Sequence, residues 1–258
     1  MTHGGLAPAD ADQQGFAFRF AWGGEGLALL TPVCDVVVVV DVLRFTTAVS
    51  VAVAGGSTVF PYPWQDDGAV SYAAERGAVL AGRREQGPVS LSPTDLSTLP
   101  RGSRIVLPSP NGSTLSFGAR ELGAPFVLAG SLRNATATAR RARSIADDGA
   151  IAVIASGERW PGSSAPLRPS VEDLLGAGAV LAALDPSGSV SHPGCSPEAA
   201  AARAAFIDAK CRLTDALRSC ASGRELTRIG SADDVECSAQ LDADDVAAQL
   251  VEDAYIAV

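Results

Sequence analysis

Histidine is nearly missing from this chain. Among 258 residues only His3 and His192 carry an imidazole, His3 in a tail of the kind that frays and His192 in a Pro/Gly loop. A Ser-His-Asp triad is thereby set aside, and acid–base work falls to carboxylates, a metal-bound water or a cysteine. The five cysteines, Cys34, Cys195, Cys211, Cys220 and Cys237, include no C-x-x-C and have no histidine at zinc-ligand spacing. They read as free thiols in a reducing, cytoplasmic compartment. Residues 1–15 lack the basic and apolar stretches of a secretory signal, and no run approaches the length of a membrane span. No G-x-G-x-x-G follows a strand and no G-x-x-x-x-G-K occurs, which argues against nucleotide binding of either familiar kind. Positive charge is in deficit as well. A net charge of -9 disfavours nucleic acid and membrane partners, whose nonspecific attraction rests on basic charge. Lys210 is the single lysine, the other nineteen basic residues being arginine; this is compositional bias, not mechanism.

What remains is a chain that is 47% hydrophobic, enough for a sizeable core. Short Val/Ile runs alternate with alanine-rich segments of helical length, the pattern of βαβ units covering a mostly parallel sheet. Strands are expected at 16–21, 35–40, 58–62, 79–81, 104–108, 126–129 and 151–155, and helices at 46–54, 65–76, 114–122, 134–147, 171–184 and 197–221. The valine-rich 46–54 segment runs against helix propensity, but a strand from 36 through 53 would be too long for a domain of this size. The expectation is a three-layer α/β/α fold with a mostly parallel sheet and a helical C-terminal region. It is read as one α/β domain over 1–258, with a conceivable division into a catalytic core (1–184) and the helical region (197–258) across a linker at 185–196. The loops at 83–102 and 157–170 are long and dense in Gly, Pro and Ser, and long ordered loops are often functional.

In open α/β sheets ligands gather at the carboxyl ends of parallel strands, where helix N-termini present backbone N–H groups. Each candidate here sits at such an end. After the VVVVV strand come Asp41, Arg44, Thr46 and Thr47, a carboxylate for a hard cation and a guanidinium that can fork onto phosphate or sulfonate oxygens. The bland reading is a strand-end Asp–Arg pair with Thr46 as a helix cap. The turn at Asn111, Gly112 and Ser113 and the turn at Ser131, Arg133 and Asn134 repeat the arrangement; either is also explained by an ordinary turn or a capped helix. Glu172 and Asp173 open a further helix, where the macrodipole alone favours acids. Gly157 to Trp160 adds a charged pair and an indole that could wall a pocket.

Taken in order, these segments resemble the 2-phosphosulfolactate phosphatase family, magnesium-dependent enzymes of coenzyme M biosynthesis and their bacterial relatives. The family pattern is a hydrophobic strand into D-V-L-R-x-T-T, a G-A-x-x-V-x-P-type strand, a G-E/R-R-x-G region, S/T-x-N-G-[ST], G-S/C-x-x-N and E-D-x-x-x-A-G. Its counterparts here lie at 41–47, 55–61, 82–87, 109–113, 130–134 and 172–178. The chain departs from it in three places: Ser109-Pro110 stands for T-T, Gly176 stands where relatives carry cysteine, and of a G-N-S-P stretch only Ser92 and Pro93 remain. The resemblance implies a three-layer α/β/α fold, a Mg²⁺ requirement, and hydrolysis of a small anionic phosphoester, 2-phosphosulfolactate or a related 2-phospho acid. On it, Asp41 with Glu172 or Asp173 would hold Mg²⁺. Asp41, Arg44, Asn111 and Arg133 would be catalytic, with Thr46, Thr47, Gly112, Ser113, Ser131 and Asn134 around the substrate. An aspartyl-phosphate at Asp41 is the minority alternative, since Leu43 stands where such phosphatases have a second Asp. A non-catalytic anion-binding or regulatory protein on the same fold is the rival function, and self-association into a homo-oligomer stays open.

Overall fold

The computed structural model describes residues 11–63, 67–82, 89–160, 166–187 and 194–258. His3, His192, the start of the 65–76 helix, the start of the 83–102 loop, the middle of the 157–170 loop, most of the 82–87 motif and half of the 185–196 linker lie outside the described residues.

Five consecutive valines in β2 (Val36–Val40) are all fully buried, as befits a central parallel strand covered on both faces. Because side chains alternate, Val36, Val38 and Val40 enter one core and Val37 and Val39 the other. Each contributes about 1.5–3 kcal/mol relative to exposure. The remaining parallel strands are β1 (Phe18–Trp22), β3 (Thr58–Tyr62), β4 (Val79–Leu80), β5 (Arg104–Pro108), β6 (Phe126–Gly130) and β7 (Ile151–Ala155). A short arm, β8 (Glu158–Arg159) with β9 (Leu167–Arg168), stands apart as a two-stranded ribbon. β10 (Ala248–Val251) and β11 (Ala254–Ala257) form an antiparallel hairpin.

Among the described residues the large sheet has nine strands in the order β1-β7-β2-β6-β10-β11-β3-β5-β4. The hairpin lies at its centre: β10 runs antiparallel to β6 and β11 antiparallel to β3. Two parallel blocks are thus joined through the end of the chain. Tyr255 of β11 is fully buried and shares a hydrogen bond of 2.7 Å with Ser116.

One face of the sheet is covered by α1 (Gly23–Leu30), α2 (Phe45–Ala54) and α5 (Gly112–Glu121), through Leu27, Phe45, Val49 and Leu115. α3 (Asp67–Glu75) packs on β4 and β5, and the short α4 (Pro93–Leu96) on α2. The other face is covered by α6 (Ala135–Ala146), α7 (Val171–Leu184) and α8 (Pro197–Ala209), through Ala139, Leu175, Leu181 and Phe206. The architecture is the expected three layers. α2 forms despite its valines because every residue from Phe45 to Val53 is buried, and burial outweighs a propensity deficit of a few tenths of a kcal/mol per residue.

Two expectations are refined. The single helix expected over 197–221 is α8, a 3₁₀ turn at Lys210–Arg212, and α9 (Leu213–Ser219), ending where Cys220 adopts an extended backbone. There the Cys220 thiol accepts the Gly223 N–H at 3.2 Å and caps α10 (Ala221–Arg228). The C-terminal region is helical only through α11 (Ala232–Ser238); beyond it the chain supplies the central hairpin. All five cysteines are unpaired, and no helix among the described residues is long and apolar enough to cross a membrane.

Candidate active site

Asp41 is built by the turn from β2 into α2. Thr46 Oγ1 accepts the Asp41 N–H at 2.9 Å and donates to the Asp41 carbonyl at 2.8 Å, and Thr47 Oγ1 donates to the Val42 carbonyl at 2.8 Å. The two buried threonines therefore tie the turn. Asp41 itself is buried, its Oδ1 receiving the Phe45 N–H at 3.3 Å and its Oδ2 the Gly112 N–H at 2.9 Å. The Leu43–Arg44 peptide is cis.

Gly112 opens α5 against this carboxylate. A Cβ there would stand 2.3 Å from Phe45 Cδ1 and 2.9 Å from Asp41 Oδ2, so glycine is required by close approach. Its neighbour Asn111 donates through Nδ2 to Glu158 Oε2 at 3.1 Å, while Ser113 Oγ donates back to the Leu107 carbonyl. Asn111 and Glu158 face a cavity of about 580 Å³ bounded by the starts of α1 and α5 and by the β8–β9 arm.

Across from Gly112, the first turn of α7 delivers two buried acids. Asp173 Oδ1 accepts the Val42 N–H at 2.7 Å and its Oδ2 the Gly157 N–H at 2.9 Å. Glu172 is buried too, and its Oε2 has no hydrogen-bond partner. Burial pushes Asp41 up to about 6, with Glu158 and Glu172 adding to the rise against the two backbone donors. Asp173 is held well above the ordinary carboxylate range by burial first, then by the charges of Asp41 and Glu172. Glu172 also borders the Cys220 thiol, which burial and that carboxylate push up to about 12. Asp41, Glu172 and Asp173 thus form one electrostatic group. Among the described residues no three or more His, Cys, Asp or Glu side chains converge as a ready-made metal cage.

The two arginines point away from each other's partners. Arg44 Nη1 meets Asp234 Oδ2 at 2.6 Å, and the opposite oxygen of Asp234 accepts from Ser92 Oγ at 2.5 Å and Thr94 Oγ1 at 3.0 Å. Arg133 forks onto Asp244 through Nε and Nη2, both at 2.8 Å, and its Nη1 reaches the Cys237 carbonyl and Gln240. Burial works against the Arg133 charge, but Asp244 outweighs it and makes the guanidinium more basic than usual. Ser131 and Asn134 close their own turn: Asn134 Oδ1 accepts from the Ser131 N–H at 2.8 Å, and Asn134 Nδ2 donates to the Ala129 carbonyl.

The model of the 2-phosphosulpholactate phosphatase family matches residues 29–253. The chain belongs to this family. It is 29% identical to the probable 2-phosphosulfolactate phosphatase of Synechococcus sp. over 225 residues, 81% of this chain and 86% of that one. With the probable 2-phosphosulfolactate phosphatase of Thermus thermophilus it shares 30% over 214 residues, 80% and 84% of the two chains. With the 2-phosphosulfolactate phosphatase of Methanothermobacter thermautotrophicus it shares 28% over 203 residues, 77% and 79%.

Within the family pattern, the departures fall in different places. Pro110 borders the cavity, whereas Gly176 packs on the sheet, where a Cβ would stand 2.4 Å from Val42 Cγ2. The glycine that ends the α7 motif, Gly178, is required by the close passage of α8, since its Cβ would lie 2.2 Å from the Ala202 carbonyl oxygen. Sequence reasoning missed Asp234 and Asp244. Both come from an acidic stretch, 233–245, in which no spacing marks the aspartates that turn inward. It also left Glu158 as half of a charged pair and did not see it facing Asn111. Of the candidates, Asp41, Asn111, Gly112, Glu172 and Asp173 come together; Arg44 and Arg133 lie on the α11 side, held by aspartates.

Proposed function

We propose that the protein is a magnesium-dependent phosphatase that hydrolyses a small phosphate monoester, 2-phosphosulfolactate or a related 2-phospho acid. One observation carries this reading: a group of buried, mutually repelling carboxylates behind a cavity at the carboxyl ends of parallel strands, in a chain of this family. Such a group is costly without a cation. Mg²⁺ takes oxygen donors and is commonly held by only one or two carboxylates, water and phosphate completing its shell. The donors fit it: Asp41 keeps a lone pair on each oxygen, and the orphaned Oε2 of Glu172 lacks any partner. Backbone donors hold the two oxygens of Asp173 closely, at 2.7 and 2.9 Å, whereas the donor to Asp41 Oδ1 stands at 3.3 Å, so Asp41 and Glu172 are the preferred ligands and Asp173 the group that orients the Val42 turn.

Bound Mg²⁺ would neutralise charge on the phosphoryl oxygens. The chain's own part is orientation. Arg44, gripped at Nη1 by Asp234, keeps further N–H donors for phosphate oxygens, whereas Arg133 is engaged through all three nitrogens. Asn111, held by Glu158 and directly before the Gly112 that bonds Asp41, orients the ester. Asp41 is assigned to the cation and not to nucleophilic attack because Leu43 stands where phosphatases that form an aspartyl-phosphate have a second Asp. Asp41→Asn in a folded protein should lower Mg²⁺-dependent phosphate release by about a hundredfold or more; a loss within about tenfold, about 1.4 kcal/mol, would sink this role. Tight ligand binding by the unmodified protein without any phosphate release would favour the anion-binding reading.

A further inference from the structure

We infer that Asp234 is a positioning residue of the site: the Ser92 and Thr94 hydroxyls close one of its oxygens, so that it grips Arg44 by a single nitrogen and leaves the guanidinium's other arm for an oxyanion. It rests on the proposed phosphatase reading only for which anion is bound.

Asp234 lies in the first turn of α11, and its side chain is wholly buried, whereas that of Arg44 is 21% exposed. α4 packs against both α2 and α11, which brings Ser92 and Thr94 to the same carboxylate. Both hydroxyls donate to Asp234 Oδ1, at 2.5 and 3.0 Å, while Arg44 Nη1 donates to Oδ2 at 2.6 Å. The backbone below is fixed too, since Ser238 Oγ donates to the Asp234 carbonyl at 2.7 Å.

Arg133 shows what this arrangement avoids. An arginine facing a carboxylate pairs by a fork of two parallel bonds where it can, and Arg133 does so on Asp244. Each carboxylate oxygen has room for two donors. Asp244 Oδ2 takes one from Ser50 and still receives Arg133 Nε; Asp234 Oδ1 takes two hydroxyls, and the fork onto Arg44 is blocked. Among the described residues nothing bonds Arg44 Nε or Nη2. A single-bonded pair is a poor way to tie α2 to α11, because a buried ion pair gains little over apolar contact. It is a good way to aim a planar guanidinium, whose remaining N–H groups keep set directions once Nη1 is held.

Arg44 belongs to the turn that carries Asp41. It stands at the N-cap position of α2, and the next residue, Phe45, gives its N–H to Asp41 Oδ1 at 3.3 Å. Its charge therefore adds to that of the proposed cation in drawing an anion to this turn. Asp234, without exposed surface of its own, acts on that anion through Arg44.

The test is calorimetric titration of the full chain with inorganic phosphate in the presence of Mg²⁺, well below the melting temperature of each variant. Arg44→Gln should weaken binding about tenfold or more, and Asp234→Asn, which keeps the shape but loses the charge that grips Arg44, about tenfold. Beside Arg44→Gln, Asp234→Asn should weaken it no further, because its effect passes through that guanidinium. Ser92→Ala with Thr94→Val keeps both charges, frees Oδ1 for the fork and should weaken binding about fivefold; it reads the same coupling to Arg44 should Asp234→Asn fail to fold. Absence of phosphate binding by the unmodified protein, unchanged affinity in these variants of Asp234 and its hydroxyls, or equal losses with and without Arg44 overturns the inference. If the losses appear as expected while no 2-phospho acid releases phosphate, Asp234 keeps its role and the phosphatase reading fails. If phosphate is released with KM and kcat unchanged in Asp234→Asn, the reverse holds.

Discussion

The Asp173 carboxylate accepts the backbone N–H of Val42, the residue directly after Asp41, at 2.7 Å. Two acids from distant elements are therefore locked side by side; burial is the main cause that raises each, with Glu172 adding charge to both and Asp41 adding charge to Asp173. The consequence for stability has a definite sign. A carboxyl raised from 3.8 to about 6 binds more protons folded than unfolded between those values, so the metal-free fold loses stability as pH rises through that window. The loss is absent below the unfolded value and complete above about 6, of the order of 3 kcal/mol. A divalent cation beside ionised Asp41 offsets it. Melting temperatures should rise on adding Mg²⁺ by clearly more at about pH 7.5 than at about pH 5. An equal rise at both, or none, would contradict a cation at this carboxylate.

Glu172 and Asp173 are adjacent in sequence but not equivalent. Burial is the main reason Asp41 and Asp173 are raised, and Glu172 adds charge to both while its own Oε2 goes unpaired. Glu172→Gln removes that charge without changing shape. The metal-free variant should melt higher than the unmodified protein at about pH 7.5, and the Mg²⁺-dependent increase should vanish. Retention of the full increase in a thermal melt would transfer the ligand role to Asp173.

The α11 side of the site rests on ion pairs that are nearly dry. The side chains of Arg133 and Asp244 are 11% and 7% exposed, and Asp244 Oδ2 also accepts from Ser50 Oγ at 2.8 Å. Asp244→Ala leaves a guanidinium without its forked partner and should cost about 3–5 kcal/mol in denaturant unfolding. Adding Arg133→Met should restore much of that loss, because the uncompensated charge goes with it. A double variant as unstable as the single one would show that the forked pair is not what Asp244 contributes.

The parallel part of this fold could be read because its residues act locally. Val36–Val40 can only be a strand buried on both faces, and the motifs after β2, β5 and β6 mark strand-to-helix turns whose hydroxyls and glycines the structure uses. The central hairpin could not. Its turn, Glu252-Asp253, takes positive φ at Glu252 without the Asn-Gly or Asp-Gly that signals such a turn, and its strands span four residues each. What places them between β6 and β3 is a pair of sheet edges far away in sequence. The roles of Thr46, Thr47, Ser131 and Asn134 were hidden for a related reason. The side chains that could bind a ligand are the same ones that tie a turn, and only geometry tells which they do.

Gly112 links that local grammar to the site. Its N–H reaches Asp41 Oδ2 at 2.9 Å, and a methyl group added there would overlap Phe45, which is itself fully buried. Phe45 packs edge-on against Tyr255 with ring centroids 6.3 Å apart, so it has little freedom to withdraw. The strain of Gly112→Ala must then be taken up by moving the start of α5, lengthening the bond to Asp41 and shifting Asn111 from Glu158. Stability should fall by about 1–3 kcal/mol, and Mg²⁺-dependent phosphate release should fall by more than that loss of folded protein explains. Measuring release per folded molecule, well below the melting temperature, separates the two effects. Full activity under those conditions would mean that the Gly112–Asp41 contact serves folding alone.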